Sequence, residues 1–410
     1  MPRTEVRIMR RILETATAAF ALICIFCFVA NAEVVAEYGK GKRENIGGAT
    51  VIHLAGSPRE IGLQHGNLLK PEIHKLTDYF FEEKGAMFGA SINDIRAAAA
   101  VIEPFIPAKY IEEMKAVAEG AEVDYEKVLF SNIFLDVVSA HWVGVGPQCS
   151  NFAALPSITR NGDIVHGRNL DWSADATIAS VNTLFIYRPD DGIAFAAPGW
   201  PAIVGILTGM NAEKISMGEM TSMSSDATLR GTPIMIQLRM LMEKSRSLDE
   251  AFAVLKDNPR TTGYNVIVTD AKAADAMVVE QSASDIFRAG PKDGFVHRAN
   301  HYLHPKLQQT QTRYMAMFYD GKKSDTYYRH QRLEQLVRER SGQIDAESAM
   351  SIMSDKFDLS IGAVPDNLKN TVCKSNTLQS VVMLPGSGEI YVGFKDIPVC
   401  HDFVKVKVEF

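Results

Sequence analysis

The sequence predicts an α+β protein in which sheet layers are covered by helices. Three observations carry this: helical periodicity from about residue 57 to 141, a change to strand texture after Cys149, and helix pairs interleaved with strand runs beyond it. With 410 residues the chain is long enough for two lobes or one large domain. Its 46% apolar and 22% charged content is that of an ordinary folded protein. The net charge of -6 is spread along the chain, with no basic stripe, so no nucleic-acid partner is expected.

The first element is a targeting segment. Arg3, Arg7, Arg10 and Arg11 form a positive region, an apolar run follows from Ala16 to Val29, and Ala30-Asn31-Ala32 has the small residues of a cleavage site. Residues 1–32 therefore read as a signal peptide, with cleavage after Ala32. An uncleaved anchor is the alternative, although the run is short of the about 20 apolar residues of a spanning helix. No Asn-x-Ser/Thr sequon occurs, which favours a bacterial envelope or medium, hence a secreted or periplasmic protein. Cys24 and Cys27 leave with the signal. Of the 5 cysteines, Cys149, Cys373 and Cys400 remain, and the economical arrangement is a Cys373–Cys400 disulfide plus one free thiol.

The mature chain then opens a helical region. Ser57-Pro58-Arg59-Glu60 combines a capping box with proline at the first helical position, and Ile61, Leu68 and Leu69 follow on an apolar face. Later starts lie at Ser91 and Asp124. Gly144, Gly146 and Pro147 break the last helix just before Cys149. Strands are expected at Phe152 to Thr159 and Ile164 to Asn169, joined by a two-residue hairpin at Asn161-Gly162. Asp191-Gly192 marks a second hairpin, and Asn211 to Lys214 a third turn. A helix runs from about Pro233 to Lys244, and another starts at the capping box Ser247-Leu248-Asp249-Glu250. Strands return at Asn265–Thr269 and Met277–Glu280. A helix follows Ser324, and a last hairpin spans Ser380–Phe394.

The first hairpin concentrates the chemistry. It folds Arg168 and Asp171 back beside the strand that starts at Cys149, with Asp171 nominally opposite Phe152, about 10 Å from Cys149 at 3.3 Å per residue. A thiol, a guanidinium and a carboxylate then converge at one end of the hairpin. The plain alternative is a structural Arg168–Asp171 ion pair beside a small core cysteine.

These motifs carry a family resemblance. Cys149-Ser150-Asn151-Phe152-Ala153-Ala154, the Asn161-Gly162 turn and Gly167-Arg168-Asn169-Leu170-Asp171-Trp172 resemble the cysteine N-terminal-nucleophile (Ntn) hydrolases. The segment from Gly56 to Gly66 is similar to the pro-segment motif of the penicillin (isopenicillin N) acyltransferase-like branch, which is related to bile salt hydrolase and acid ceramidase. Gly209-Met210-Asn211, Ala299-Asn300-His301-Tyr302, Ser324-to-Leu333 and Ser380-Val381-Val382 follow in the family's order. Two features depart from the pattern: Gln148 stands where glycine is frequent, and the stretch between Cys149 and Arg168 is slightly long.

The resemblance implies a four-layer αββα sandwich. It implies a helical pro-segment at 33–148 that becomes the first of two associated chains when the Gln148–Cys149 bond cuts itself, and a catalytic chain at 149–410. Cys149 would be the nucleophile and its freed amine the base, held by Asp171. Arg168 would balance charge at the thiolate. Asn211, through its backbone or side chain, and the Asn300 side chain would supply oxyanion donors, and Arg329 would buttress Asp171 or the core. The expected function is hydrolysis of a small N-acyl amide, or transfer of its acyl group, through a thioester on Cys149. The alternatives are a hydrolase of a larger peptide or lipid amide, and an exported non-catalytic binding protein. Membrane association is expected only if the N-terminal segment stays uncleaved.

Neither metal nor cofactor is expected. His297, His301 and His304 lack the spacing of a metal pair on one helical face. Met210, Met217, Met220 and Met223 read as core or pocket lining and not as a copper site. A papain-like protease lacks its cysteine context here.

Overall fold

Proline and glycine punctuation, β-branched runs and helix caps set the element boundaries seen in a computed structural model, which describes residues 32–84, 92–141, 148–172, 176–393 and 396–410. The predicted signal sequence up to Asn31, the Ser91 helix start and the Gly144–Pro147 break lie outside these residues. Among the described residues no helix is long and apolar enough to cross a membrane.

The segment before Cys149 is helical only from Pro58 onward. Ahead of it lie three strands, β1 (Ala32–Tyr38), β2 (Gly41–Ile46) and β3 (Ala49–Gly56). In β3 the β-branched and apolar residues Val51, Ile52 and Leu54 are buried, which favours a strand. Helix α1 (Pro58–Leu68) begins at the predicted capping box: Ser57 Oγ accepts from Glu60 N at 3.3 Å and Glu60 Oε2 from Ser57 N at 2.8 Å. Then follow α2 (Lys70–Asp78), α3 (Ile92–Ile102), α4 (Ala108–Ala121) and α5 (Tyr125–His141).

Beyond Cys149 the chain builds β4 (Gln148–Ala154), β5 (Val165–Asp171), β6 (Thr183–Pro189), β7 (Phe195–Gly199), β8 (Thr208–Asn211) and β9 (Ile215–Thr221). Helices α6 (Ile234–Lys244) and α7 (Leu248–Asp257) follow, then β10 (Tyr264–Asp270), β11 (Asp275–Gln281), β12 (Ile286–Ala289) and β13 (Phe295–Arg298). At α7 only half of the expected capping box forms. Ser247 Oγ accepts from Glu250 N, while the Glu250 carboxylate turns back to Arg246 N at 2.7 Å. A short ribbon, β14 (Phe318–Tyr319) and β15 (Lys322–Lys323), precedes α8 (Asp325–Glu339) and α9 (Ala346–Met353). The chain closes with β16 (Thr377–Leu384), β17 (Glu389–Gly393) and β18 (Phe403–Lys407).

Among the described residues, and beside the β14–β15 ribbon, these strands form a ten-stranded sheet in the order β1-β2-β3-β6-β7-β8-β9-β10-β11-β12 and a six-stranded one in the order β13-β4-β5-β16-β17-β18. Strand alternation then makes the layers. From β16, Val381 and Met383 face inward and pack with Val51, Leu184, Ile186 and Met210 of the large sheet. Val382 and Leu384 face outward and pack with Leu333, Leu336, Val337, Ile352 and Met353 of α8 and α9. On the far side of the large sheet, α6 and α7 place Leu238, Leu241 and Leu255 in the main core with Val266 and Val268. Helix–sheet–sheet–helix is the αββα sandwich that the resemblance implies.

The hairpin register differs from the expectation. Strand β4 ends at Ala154, ahead of Pro156, which has no N–H for a ladder. Residues 155–164 form a long loop fastened elsewhere, with Leu155 N donating to Gly294 O and Arg160 N to Ile344 O. The Asn161-Gly162 pair therefore closes no two-residue hairpin. Gln148 pairs with Asp171, Cys149 with Leu170, and Phe152 with Gly167. This register needs no bulge to bring Asp171 to the nucleophile.

Candidate active site

Cross-strand alternation divides the β4–β5 end into two faces. Cys149, Asn151, Arg168 and Leu170 face the large sheet. Gln148, Ser150, Asn169 and Asp171 face α8 and the segment leading into β16. All of β5 is buried, which makes its polar residues, His166, Arg168, Asn169 and Asp171, candidates for specific pairing.

On the first face the Arg168 guanidinium is fully enclosed. Its Nη2 lies 3.5 Å from Cys149 Sγ and 3.3 Å from Glu219 Oε2. Nε donates to Glu219 O at 3.1 Å, and Nη1 to Thr208 Oγ1 at 2.8 Å and Gln379 Oε1 at 3.1 Å. Gly218 in β9 makes room for this, since a Cβ there would collide with the Asn151 amide and crowd Arg168 Cγ. The ion pair of Arg168 is thus with Glu219 and not with Asp171. Burial raises the Glu219 carboxyl to about 7 against the pull of Arg168. Burial likewise pushes the Cys149 thiol up to about 12, with Arg168 opposing and Glu219 and Asp171 reinforcing. In the continuous chain the thiol is therefore protonated at neutral pH.

The backbone of Cys149 is held from the other side. Its N–H donates to Asn300 Oδ1 at 2.8 Å, and its carbonyl accepts from Arg329 Nη1. Arg329 also donates to Asn300 Oδ1 at 2.8 Å, to Ser150 Oγ at 3.2 Å and to Asp325 Oδ1 at 2.7 Å. It is fully buried, so its side of α8 is not a solvated face. It braces Cys149, Asn300 and Asp325. Asn300 abuts Cys149, but its amide nitrogen donates to Thr221 O at 2.8 Å and its oxygen is taken by Cys149 N and Arg329.

Asp171 is buried, with Oδ1 accepting from Thr377 Oγ1 at 2.6 Å and Oδ2 lacking a hydrogen-bond partner. Burial raises its carboxyl to about 6, while Lys374 and Arg329 pull it down. The nearby Lys374 donates to the Gln148 side-chain oxygen and to Asp325 Oδ2 at 2.7 Å.

The Asn211 side chain takes no part in this network. Its side-chain nitrogen donates to Met242 O and Ser245 O, both at 2.9 Å, and its oxygen accepts from Ile215 N at 3.0 Å. It ties the β8–β9 turn to the end of α6, and the side chain keeps no donor for an oxyanion. Glu219, Lys374 and Asp325 were not anticipated. A glutamate amid Met217, Gly218 and Met220 is a buried charge that demands a partner, and Asp325 and Arg329 have the i,i+4 spacing of a helix pair. Nothing in the pattern around Lys374 marks it.

Cys373 and Cys400 are joined by a disulfide, with Cα atoms 6.1 Å apart, and Cys149 is the free cysteine among the described residues. His297, His301 and His330 lie in ring contact, while His304 stacks on Phe287. Among the described residues no histidine, cysteine and carboxylate group is arranged to hold a metal ion. Met210, Met217, Met220 and Met223 are all buried in the interior.

Residues 158–396 match the protein family described as acyl-coenzyme A:6-aminopenicillanic acid acyl-transferase. An uncharacterized protein of Archaeoglobus fulgidus is 25% identical over 367 residues, which cover 78% of this chain and 58% of the relative. The N-acylethanolamine-hydrolyzing acid amidase of Mus musculus is 20% identical over 200 residues, which cover 47% of this chain and 51% of the relative. The chain thus spans between half and three-fifths of the length of these relatives. The solved structure of the Caenorhabditis elegans ortholog of that amidase aligns with 64% of this chain and 100% of its own, at 16% identity and a TM-score of 0.42. With more than half of its length matched by the family, the chain belongs to the acyl-coenzyme A:6-aminopenicillanic acid acyl-transferase family.

Proposed function

We propose that this protein cuts its own Gln148–Cys149 bond and then uses Cys149 as base and nucleophile to hydrolyse a small N-acyl amide or transfer its acyl group. One observation carries the reading. The nitrogen, the carbonyl and the thiol of Cys149 are each held by a different buried polar group, Asn300, Arg329 and Arg168. A cysteine that only fills space needs none of these contacts.

In the continuous chain the Cys149 nitrogen is an amide and has no basicity to offer. Self-cleavage changes that. Sγ adds to the Gln148 carbonyl carbon, the C–N bond breaks, and the nitrogen leaves with the thiol proton. Water then hydrolyses the thioester to a Gln148 carboxylate and a free thiol. The new α-amine, with a reference pKa of about 8, is partly neutral at working pH and takes the thiol proton. Asp171 is the acceptor for that amine in this reading, supported by its electrostatic action on Cys149 and by an Oδ2 that has no hydrogen-bond partner among the described residues. In turnover, Sγ attacks the substrate carbonyl and the leaving amine departs with the proton held on the α-amine. Water or a second amine then releases the acyl group. Fixed donors to the developing oxyanion are worth about 3 to 4 kcal/mol each. The Asn300 side-chain amide, which abuts Cys149, is the candidate donor.

The acyl group is read as apolar. Leu170, the cross-strand partner of Cys149, lines a narrow cavity with Phe80, Phe134, Trp172, Trp200 and Leu207. No polar surface lines it, which suits a hydrocarbon or aryl chain. Export through the N-terminal segment belongs to the same proposal, and the Cys373–Cys400 disulfide suits an oxidising compartment.

Denaturing electrophoresis with N-terminal sequencing tests the reading. The expected result is a second fragment that begins at Cys149. Cys149→Ala is expected to remain one chain, and to lose both turnover and the acyl mass that substrate leaves on the Cys149 peptide. Active protein with its Gln148–Cys149 bond intact would overturn the proposal.

A further inference from the structure

Gln148 departs from the glycine frequent at this place in the family, and it faces a buried ammonium. The Gln148 side-chain oxygen accepts from Lys374 Nζ, which also donates to Asp325 Oδ2 at 2.7 Å. Asp325 Oδ1 in turn accepts from Arg329, at 2.9 Å from Nε and 2.7 Å from Nη2, and Arg329 donates to the Cys149 carbonyl. The backbone of Lys374 takes part as well. Its N–H donates to Thr377 Oγ1 at 2.9 Å, and that hydroxyl donates to Asp171 Oδ1 at 2.6 Å. One connected network therefore grips the side chain before the scissile bond, the carbonyl after it, and both nearby carboxylates.

The Lys374 backbone is itself fastened. Cys373 is cross-linked to Cys400, and Cys373 N donates to Asp355 O at 2.9 Å. Trp172 N donates to Asn376 O at 3.1 Å and Val399 N to Thr377 O at 3.1 Å. A lysine on a segment held at so many points delivers its ammonium to a fixed place.

We infer that Lys374 is a positioning residue for self-cleavage: by holding the Gln148 side chain it fixes the acyl side of the bond that Cys149 attacks. This deepens the proposed function and rests on it. The physical need is orientation, since a thiol adds to a carbonyl only from a narrow range of approach, and a free residue 148 would rotate its carbonyl out of it. Asn300 and Arg329 fix the Cys149 side of the bond. Lys374 supplies the missing hold on the other side. A lysine that only balanced Asp171 and Asp325 would be indifferent to the identity of residue 148.

That difference is testable on the full-length precursor, by following the appearance of the cut fragments with time. Lys374→Met and Gln148→Leu are each expected to slow cutting by roughly 10- to 100-fold, the scale of a lost hydrogen bond to a charged group. The double variant should be no slower than the slower single, because both remove one contact. Gln148→Glu, which offers Lys374 a full negative charge, should keep the wild-type rate, and Lys374→Arg should restore most of it. Gln148 is only partly buried, so its variants carry the test even where Lys374→Met fails to fold. If the wild-type chain cuts itself and Gln148→Leu cuts as fast, or if the two single effects multiply in the double variant, Lys374 has no such role. A wild-type chain that never cuts removes the self-cleavage reading, and this inference with it.

Discussion

At the scale of single residues, the site is a set of buried charges arranged so that each has an opposite within reach. Arg168 and Glu219 are both at most 1% exposed and 3.3 Å apart. Breaking such a pair on one side leaves the other charge without compensation, at a cost of about 3–5 kcal/mol. Measured well above pH 7, where this carboxyl raised to about 7 is ionised, Glu219→Gln is therefore expected to lower the urea unfolding free energy by up to that much, the guanidinium having lost its carboxylate in a dry setting. An unchanged midpoint would show that Arg168 is solvated or otherwise paired. The identity of most of these residues was legible beforehand. Cys149, Arg168 and Asp171 were brought together by the polarity of the strand pattern, and Asn300 and Arg329, which the family resemblance implies, lie beside Cys149. The Asn211 side chain ties a turn instead, and in sequence a side chain that does so looks like one that binds an oxyanion. Lys374 stayed hidden because its segment has no periodicity, and only the fold carries it to Gln148.

At the scale of elements, the motif from Gly56 to Gly66 has a packing explanation. Gly62 and Gly66 lie one turn apart on α1 and face α4, whose own Gly120 allows close approach. A Cβ on Gly66 would meet Val117 O at 2.5 Å and Ala121 N at 2.8 Å, and rigid backbone is poor at yielding. Gly66→Ala should thus destabilise the protein by about 1–3 kcal/mol in thermal or urea unfolding, although alanine is the better helix former. A neutral or stabilising result would mean that α1 and α4 stand further apart. Local signals of this kind were the most readable part of the chain. The Ser57 cap, the Asp191-Gly192 hairpin and α6 all fall where the residues place them. The β4–β5 register was not readable. Asn161-Gly162 has hairpin chemistry, but Pro156 and the anchoring of residues 155–164 to Gly294 and Ile344 are decided by tertiary contacts.

At the scale of the whole molecule, the cut proposed at Gln148–Cys149 would pass through a single unit that runs from residue 33 to 410. The part before the cut is woven into the rest. Strand β3 pairs in parallel with β6 from Thr50↔Thr183 to Gly56↔Pro189, inside the large sheet. Phe80 and Phe134 stack on Trp172, with ring centroids 6.1 and 5.2 Å apart. Glu113 of α4 makes a bidentate pair with Arg239 of α6 at 2.7 and 2.8 Å, and Tyr110 donates to Glu243 at 2.8 Å. Separating the two fragments would tear a ladder from a sheet, expose the main apolar core, part Glu113 from Arg239 and part Lys109 and Tyr110 from Glu243. The fragments are therefore expected to elute together from a sizing column, at the volume of the uncut Cys149→Ala precursor. In rising urea they should part only across the transition in which tertiary structure is lost. Dissociation of folded fragments in native buffer would show that β3 and α4 are held far more weakly than a shared sheet and core require.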